Sequence, residues 1–164
     1  MKDITIRDAR IEDAERFCEI YNPYVLGTSI SFEEEAVSPK AMRERIATKL
    51  ERYAWIAACE GEQVLGYAYY GSWRERAAYA GTVETSVYLD EEARGQGLGK
   101  LLYGALLDRA RAQGRHVAMG VVALPNEASE ALQLSFGFTR AAVFHEVGYK
   151  AGAWVDIAFW ELKL

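Results

Sequence analysis

A chain of 164 residues is one domain by default, here spanning 1–164. Hydrophobic residues make up 51% and charged residues 26%, enough to bury a core and to exclude intrinsic disorder. The net charge of -5 excludes the basic surplus of a general nucleic-acid binder.

Ile4 and Ile6 alternate with polar neighbours and predict a short strand. Ala14, Phe17, Ile20, Tyr21 and Tyr24 recur at helical spacing, so residues 12–26 read as a helix, followed by an irregular loop over 27–37. Ser38-Pro39 supplies a capping hydroxyl and a proline at the first helical position, which starts a second helix running to Leu50. Strands at 55–59 and 64–70 flank Glu60-Gly61-Glu62 as a hairpin, and 82–89 alternates as a further strand. Residues 99–113 carry Leu102, Ala105, Leu106 and Ala110 on one face and stop at Gly114. A buried strand at 117–122, a short helix at 127–136 stopped by Gly137, and strands at 141–147 and 154–162 complete the chain. The order β-α-α-β-β-β-α-β-α-β-β gives an antiparallel meander and then one strand–helix–strand unit. This is an α+β fold with a mixed sheet and one parallel pair, not a doubly wound parallel one.

Cys18 and Cys59 lie in dissimilar contexts, with neither disulfide nor zinc spacing, and His116 and His145 are too few for a multi-histidine metal site. No signal-peptide core follows Met1, and the longest apolar run, 117–124, is too short to span a bilayer. The expectation is a cytoplasmic protein with no metal, no nucleic-acid partner and no membrane anchor.

The sharpest feature is Arg94-Gly95-Gln96-Gly97-Leu98-Gly99, which leaves a strand and opens a helix. Unpaired N–H groups at a helix start, approached closely through glycines, make a diphosphate cradle. A Rossmann turn would need a third glycine where Lys100 stands, and a Walker loop would need Ser or Thr where Leu101 stands. The remaining pattern is R-x-x-G-x-G, spelled by Arg94, Gly97 and Gly99. From Arg94 to Arg115 five basic residues face one acid, Asp108, so this stretch is basic within an acidic chain. Arg109 and Arg111 read as a solvated helix face.

With Asn126-x-x-Ser129 and Phe136-Gly137-Phe138 downstream, the chain resembles the GNAT N-acetyltransferases over nearly its whole length. Ile20-Tyr21-Asn22, Gly66-Tyr67-Ala68, Trp73-Arg74, residues 82–88 and residues 148–156 are similar to the phosphinothricin and methionine sulfoximine acetyltransferase subgroup. The resemblance implies acetyl-CoA as donor. Its diphosphate would lie on the amides of Gly95, Gln96, Gly97, Leu98, Gly99 and Lys100, with Arg94 at the turn. Its pantetheine would pair with the main chain of Val87, Tyr88 and Leu89 as an added strand. Asn126 would hydrogen-bond the arm, with Ser129 completing the motif; Asn126 is equally a normal helix cap.

Transfer to an amine needs a base, and Glu84 is the candidate, matching a subgroup glutamate. An amide of Val87 or Tyr88 is expected to face the developing oxyanion. Many family members carry Tyr or His where this chain has Gln133, which cannot donate a catalytic proton; either Tyr88 substitutes or the CoA thiolate leaves and takes a proton from water. Arg74 matches a subgroup arginine and suits a substrate carboxylate. Phe32 and Trp73 are expected as pocket walls and Thr85 and Ser86 as hydroxyl donors, although one of these neighbours must point into the sheet. The subgroup also implies a homodimer, with Lys150 and Trp154 near the interface. Two other readings are a GNAT enzyme for protein or peptide N-termini, suggested by acidic residues 33–35, and a non-catalytic acyl-CoA-binding module.

Overall fold

The computed structural model describes residues 3–164. Seven strands form one sheet: β1 (Ile4–Asp8), β2 (Trp55–Glu60), β3 (Gln63–Ser72), β4 (Thr82–Leu89), β5 (Val117–Ala123), β6 (Thr139–Lys150) and β7 (Ala153–Lys163). Their spatial order is β1-β2-β3-β4-β5-β7-β6. Only β4 and β5 run parallel, because α3 (Leu98–Ala112) carries the chain across between them. The other helices are α1 (Ala14–Gly27), α2 (Pro39–Leu50) and α4 (Glu127–Ser135). Among these residues no helix is long and apolar enough to cross a membrane.

The alternation within each strand divides the core into two layers. On one face, Leu102, Tyr103, Leu106 and Leu107 of α3 pack on Ile56, Ala68, Tyr70 and Val83. On the other, Phe17, Ile20 and Val25 of α1 and Met42 and Ile46 of α2 pack on Trp55, Ala57 and Tyr67. The α2 start is as the sequence predicts: Ser38 accepts from Ala41 N–H at 3.2 Å and Pro39 opens the helix.

The last hairpin is longer than periodicity predicts. Its two-residue turn, Ala151-Gly152, has both φ values positive (52° and 80°), which matches the twist of paired strands. The register also shifts between Phe144 and Gly148, where Glu146 takes φ 53°. That bulge breaks the alternation on which the predicted boundary rested. Three short 3-10 segments (Ile11–Asp13, Ala77–Tyr79 and Glu91–Ala93) are too brief to leave a periodic signal.

The 27–37 loop has no regular element but is tied down. The Asn22 side chain receives the Val37 N–H at 2.8 Å and donates to the Val37 carbonyl at 3.0 Å. The buried Lys150 ammonium donates to the Val25 carbonyl at 2.7 Å and to the Ser31 carbonyl. Lys150 is thus an anchor within its own chain. Trp154 is exposed, its ring tilted at 60° to that of Tyr149 with centroids 4.8 Å apart.

Candidate active site

The parallel β4–β5 ladder stops at Thr85–Gly120, although both strands continue. Beyond it the strands part, and the cleft between them is lined by Ser86, Val87, Val121, Asn126, Leu132 and Gln133. It also reaches Ile30 and Tyr88 from the α1 side. The sheet is therefore open here, and its two faces communicate.

Main-chain direction in β4 follows from one bond. Asp90 N–H donates to the Leu65 carbonyl at 2.9 Å. In an antiparallel ladder hydrogen-bonded pairs alternate, so Tyr88–Tyr67, Ser86–Tyr69 and Glu84–Gly71 are bonded pairs too. The main-chain groups of Thr85, Val87 and Leu89 point the other way, toward β5. Tyr88 is thereby removed from the expected pantetheine and oxyanion contacts: its amide belongs to the β3 ladder. Its half-buried ring packs against Tyr21, Tyr24 and Tyr67. Burial holds its hydroxyl well above the usual tyrosine range, a poor setting for releasing a proton. Leu89 faces the gap, but Tyr24 already serves it, its hydroxyl donating to the Leu89 carbonyl at 2.7 Å and accepting from its N–H at 3.3 Å. Within β4, Val87 keeps both main-chain groups directed into the cleft without a ladder partner.

The glycine turn closes one end of this gap. Gly95 and Gly97 take φ of 73° and 79°, the left-handed region where side chains are strained. Nothing lies within 4 Å of a Cβ built on either, so open space faces the turn. The first intrahelical bond of α3 is Leu101 N–H to the Gly97 carbonyl at 3.1 Å. The N–H groups of Leu98, Gly99 and Lys100 are left without a helical acceptor. The Leu98 side chain is buried, so only its amide is offered. The Gln96 side chain turns back to the Glu92 carbonyl at 2.8 Å and braces the turn. Arg94 lies over the Tyr24 ring at 4.8 Å and lines a cleft of about 330 Å³ with Val87, Gly95, Gly99, Asn126 and Ser129.

Three other cations of this stretch are committed elsewhere. Arg109 pairs with Asp8 at 2.6 Å, Arg111 with Asp108 at 3.0 Å, and Arg115 donates to the Ala80 carbonyl at 3.1 Å. A larger cavity of about 690 Å³ lies on the other flank of the turn, lined by Gln96, Gly97 and Leu98 together with Asp3, Leu65 and Leu101. It meets neither the open edge of β4 nor α4, whereas the smaller cleft meets both.

Asn126 caps α4, its side-chain oxygen accepting from Ser129 N–H at 3.1 Å. The carboxamide nitrogen is left to act as a donor. Gln133 is buried, against the Gly120 backbone, where a Cβ would come within 2.6 Å of its amide. The Tyr103 hydroxyl reaches Gln133 at 3.1 Å and Thr85 Oγ1 at 2.6 Å, and Thr85 donates to the Met119 carbonyl at 3.0 Å. Thr85 is the neighbour that points into the sheet. It faces α3, its hydroxyl is spent, and its expected role as a substrate hydroxyl is corrected.

Glu84 and Ser86 lie on the α1/α2 face, and Ser86 adjoins the Tyr69 hydroxyl. Glu84 is half-buried one turn of the pleat before the opening. Burial raises its carboxyl pKa above the usual range, and the Lys49 ammonium pulls it back down. The Phe32 ring occupies the space where a side chain on Gly148 would lie. Trp73 meets Phe159 edge-on at 5.8 Å, carrying Arg74 over its ring at 5.3 Å. Arg74 is exposed beside Arg52, Ser72 and Tyr79. Sequence reasoning missed Tyr24, Lys49, Tyr69 and Tyr103. Each reaches the site only through packing between elements distant in the chain.

A mixed sheet opened at its one parallel pair, with a free helix N-terminus at the opening, defines a class of acyl-transferring enzymes. Residues 6–159 match the acetyltransferase (GNAT) domain, and the chain belongs to that family; it is an N-acetyltransferase.

It is 36% identical over 166 residues to the phosphinothricin N-acetyltransferase of Streptomyces coelicolor, covering 99% of this chain and 97% of that protein. It is 38% identical over 162 residues to the L-methionine sulfoximine/L-methionine sulfone acetyltransferase of Pseudomonas aeruginosa, covering 98% and 94%. The solved phosphinothricin acetyltransferase of Sinorhizobium meliloti, in complex with acetyl-CoA, has a TM-score of 0.95 at 36% identity, covering 100% of this chain and 89% of that one.

Proposed function

We propose that this enzyme moves the acetyl group of acetyl-CoA to the α-amine of a small amino-acid analogue of the phosphinothricin, methionine sulfoximine or methionine sulfone type, by direct attack. The observation that carries the proposal is the opening in the sheet. Unpaired amides, on Val87 and at the start of α3, lie on the donor side of the opening, and a desolvated carboxylate, Glu84, lies on the acceptor side.

Acetyl-CoA brings a thioester, an acyl group already activated toward amines. The protein's own part is binding, orientation and one proton. Amides from Gly95 to Lys100 donate to the diphosphate, with Arg94 and Lys100 adding positive charge. Val87 offers an N–H and a carbonyl to the pantetheine edge, and its N–H is the strand donor facing the carbonyl oxygen that gains charge. The Asn126 carboxamide nitrogen donates to the same arm. Glu84 accepts the proton of the acceptor's ammonium, directly or through water, and frees the amine to attack. Gln133 holds no ionisable proton, so the departing thiolate takes its proton from solvent. The Arg74 guanidinium meets the acceptor carboxylate, Phe32 and Trp73 wall the pocket, and Ser86 supplies a hydroxyl.

In the loop that suggested a peptide groove, Glu33 is paired with Arg45 at 2.5 Å and Phe32 is folded onto Gly148. This favours a closed pocket over an acidic channel. The pairing surface we assign to a cytoplasmic homodimer is the last hairpin, where Phe144, Val147, Tyr149 and Trp154 stand exposed.

Thiol release from acetyl-CoA, measured against a panel of amino-acid analogues and short peptides, tests the reading. Turnover with the analogues is expected. Turnover with peptides alone would overturn the small-molecule acceptor, and no turnover with tight CoA binding would favour a non-catalytic module. Arg74→Ala is expected to raise the acceptor KM about tenfold or more while kcat falls less, the loss of one charge-assisted contact of about 1.5–3 kcal/mol. Equal losses in kcat at constant KM would reject the anchoring role.

A further inference from the structure

Lys49 belongs to the last turn of α2 and enters neither the sequence motifs nor the mechanism above. It is only partly exposed, and its ammonium lies 5.0 Å from the centre of the Tyr69 ring. Its place is set by a missing side chain. A Cβ built on Gly71 would come within 2.6 Å of Lys49 Nζ and meets nothing else within 4 Å except Lys49 Cε at 3.7 Å. Gly71 is thus the notch in which the ammonium rests. Gly71 stands directly across the β3–β4 ladder from Glu84. Side chains of such a pair lie on one face, with Cβ positions roughly 5 Å apart. The ammonium is therefore held on the same face as the Glu84 carboxylate, acting on it through space without a direct ion pair, by α2 from above and by the glycine notch from below.

The structure assigns Lys49 as a positioning residue that keeps the Glu84 base charged within its half-buried pocket. This rests on Glu84 being the base. A carboxylate losing water on folding drifts toward its neutral form, and a neutral carboxyl takes no proton from an ammonium. The groups around Glu84 are few. From α2 come Lys49 and, farther along, Arg45, whose charge is matched by Glu33 of the preceding loop. From β3 comes the Tyr69 hydroxyl, neutral in its buried setting. From β5 comes the uncharged Met119 opposite. Among the described residues, Lys49 is the charged side chain whose field bears on Glu84, and it acts to lower its pKa.

The test is the pH profile of kcat/KM with one acceptor and saturating acetyl-CoA, for the wild type, Lys49→Met, Lys49→Arg, Gly71→Ala and Glu84→Gln. In Lys49→Met the acidic limb is expected to move up by about one pH unit, a tenfold loss below the limb that is recovered at higher pH. Lys49→Arg restores the wild-type limb. Gly71→Ala keeps the charge but evicts it from the notch, and shifts the limb the same way with no lysine removed. The meeting atoms are the far end of a flexible side chain, so the alanine variant folds even if Lys49→Met does not. An unmoved limb in both Lys49→Met and Gly71→Ala overturns the inference. A raised acceptor KM with the limb unmoved also overturns it, making Lys49 a substrate anchor. A Glu84→Gln enzyme with undiminished turnover marks a different failure, that of the base itself.

Discussion

Gly97→Asp is expected to abolish measurable acetyl-CoA binding while the protein still folds. The backbone there is left-handed, at φ 79°, and no protein atom lies within 4 Å of the new Cβ. The folding cost is therefore conformational, about 1 kcal/mol for a residue type that visits this region more readily than most, or a few degrees in Tm at this chain length. The binding cost is electrostatic. A carboxylate about 5 Å from a diphosphate at an effective dielectric near 20 opposes it by about 3 kcal/mol, more than a hundredfold in Kd. It also sits at the helix start, where it competes for the amides that would hold the ligand. Calorimetric titration and a thermal melt on the same sample check both halves. Wild-type heat in the variant would remove the glycine turn from the donor site.

Glu84→Gln is expected to lower kcat by about 10²–10⁴ and to leave acetyl-CoA affinity unchanged, because the amide keeps the shape of the carboxylate and loses its basicity. The pH dependence carries the sharper signature. Burial holds the Glu84 carboxyl above its ordinary value. The wild-type rate should therefore fall as pH drops through that raised value, where the base becomes protonated. In Glu84→Gln that limb should vanish from the residual rate. Steady-state kinetics between about pH 5 and 9, with thiol release as readout, give both results. A limb that survives in the glutamine enzyme would assign the titration to another group.

The chain order of the elements, the parallel pair and the glycine turn were legible, because each rests on local signals, whereas the insertion of β7 between β5 and β6 was not. Alternation marks Thr82–Leu89, glycines mark the start of α3, and a helix between two strands dictates a parallel neighbour. Much of the site was not local. A run such as Val87-Tyr88-Leu89 reads as one edge, yet the ladder phase turns Tyr88 toward β3, and a hydroxyl from α1 caps Leu89. Thr85 and Ser86 are adjacent in sequence and lie on opposite faces, and only the register says which faces the acceptor. The notch at Gly71 reads as an ordinary strand glycine until α2 is docked over it. The 27–37 loop is held by Asn22, Tyr21 and Lys150 through polar contacts that leave no periodic trace.

Crystals grown with coenzyme A test the central claim most directly. Diphosphate oxygens are expected within hydrogen-bond distance of main-chain N–H groups between Gly95 and Lys100, with the thiol arm beside the Val87 edge. A diphosphate seated instead on the opposite flank of the turn, among Asp3, Leu65 and Leu101, would contradict it.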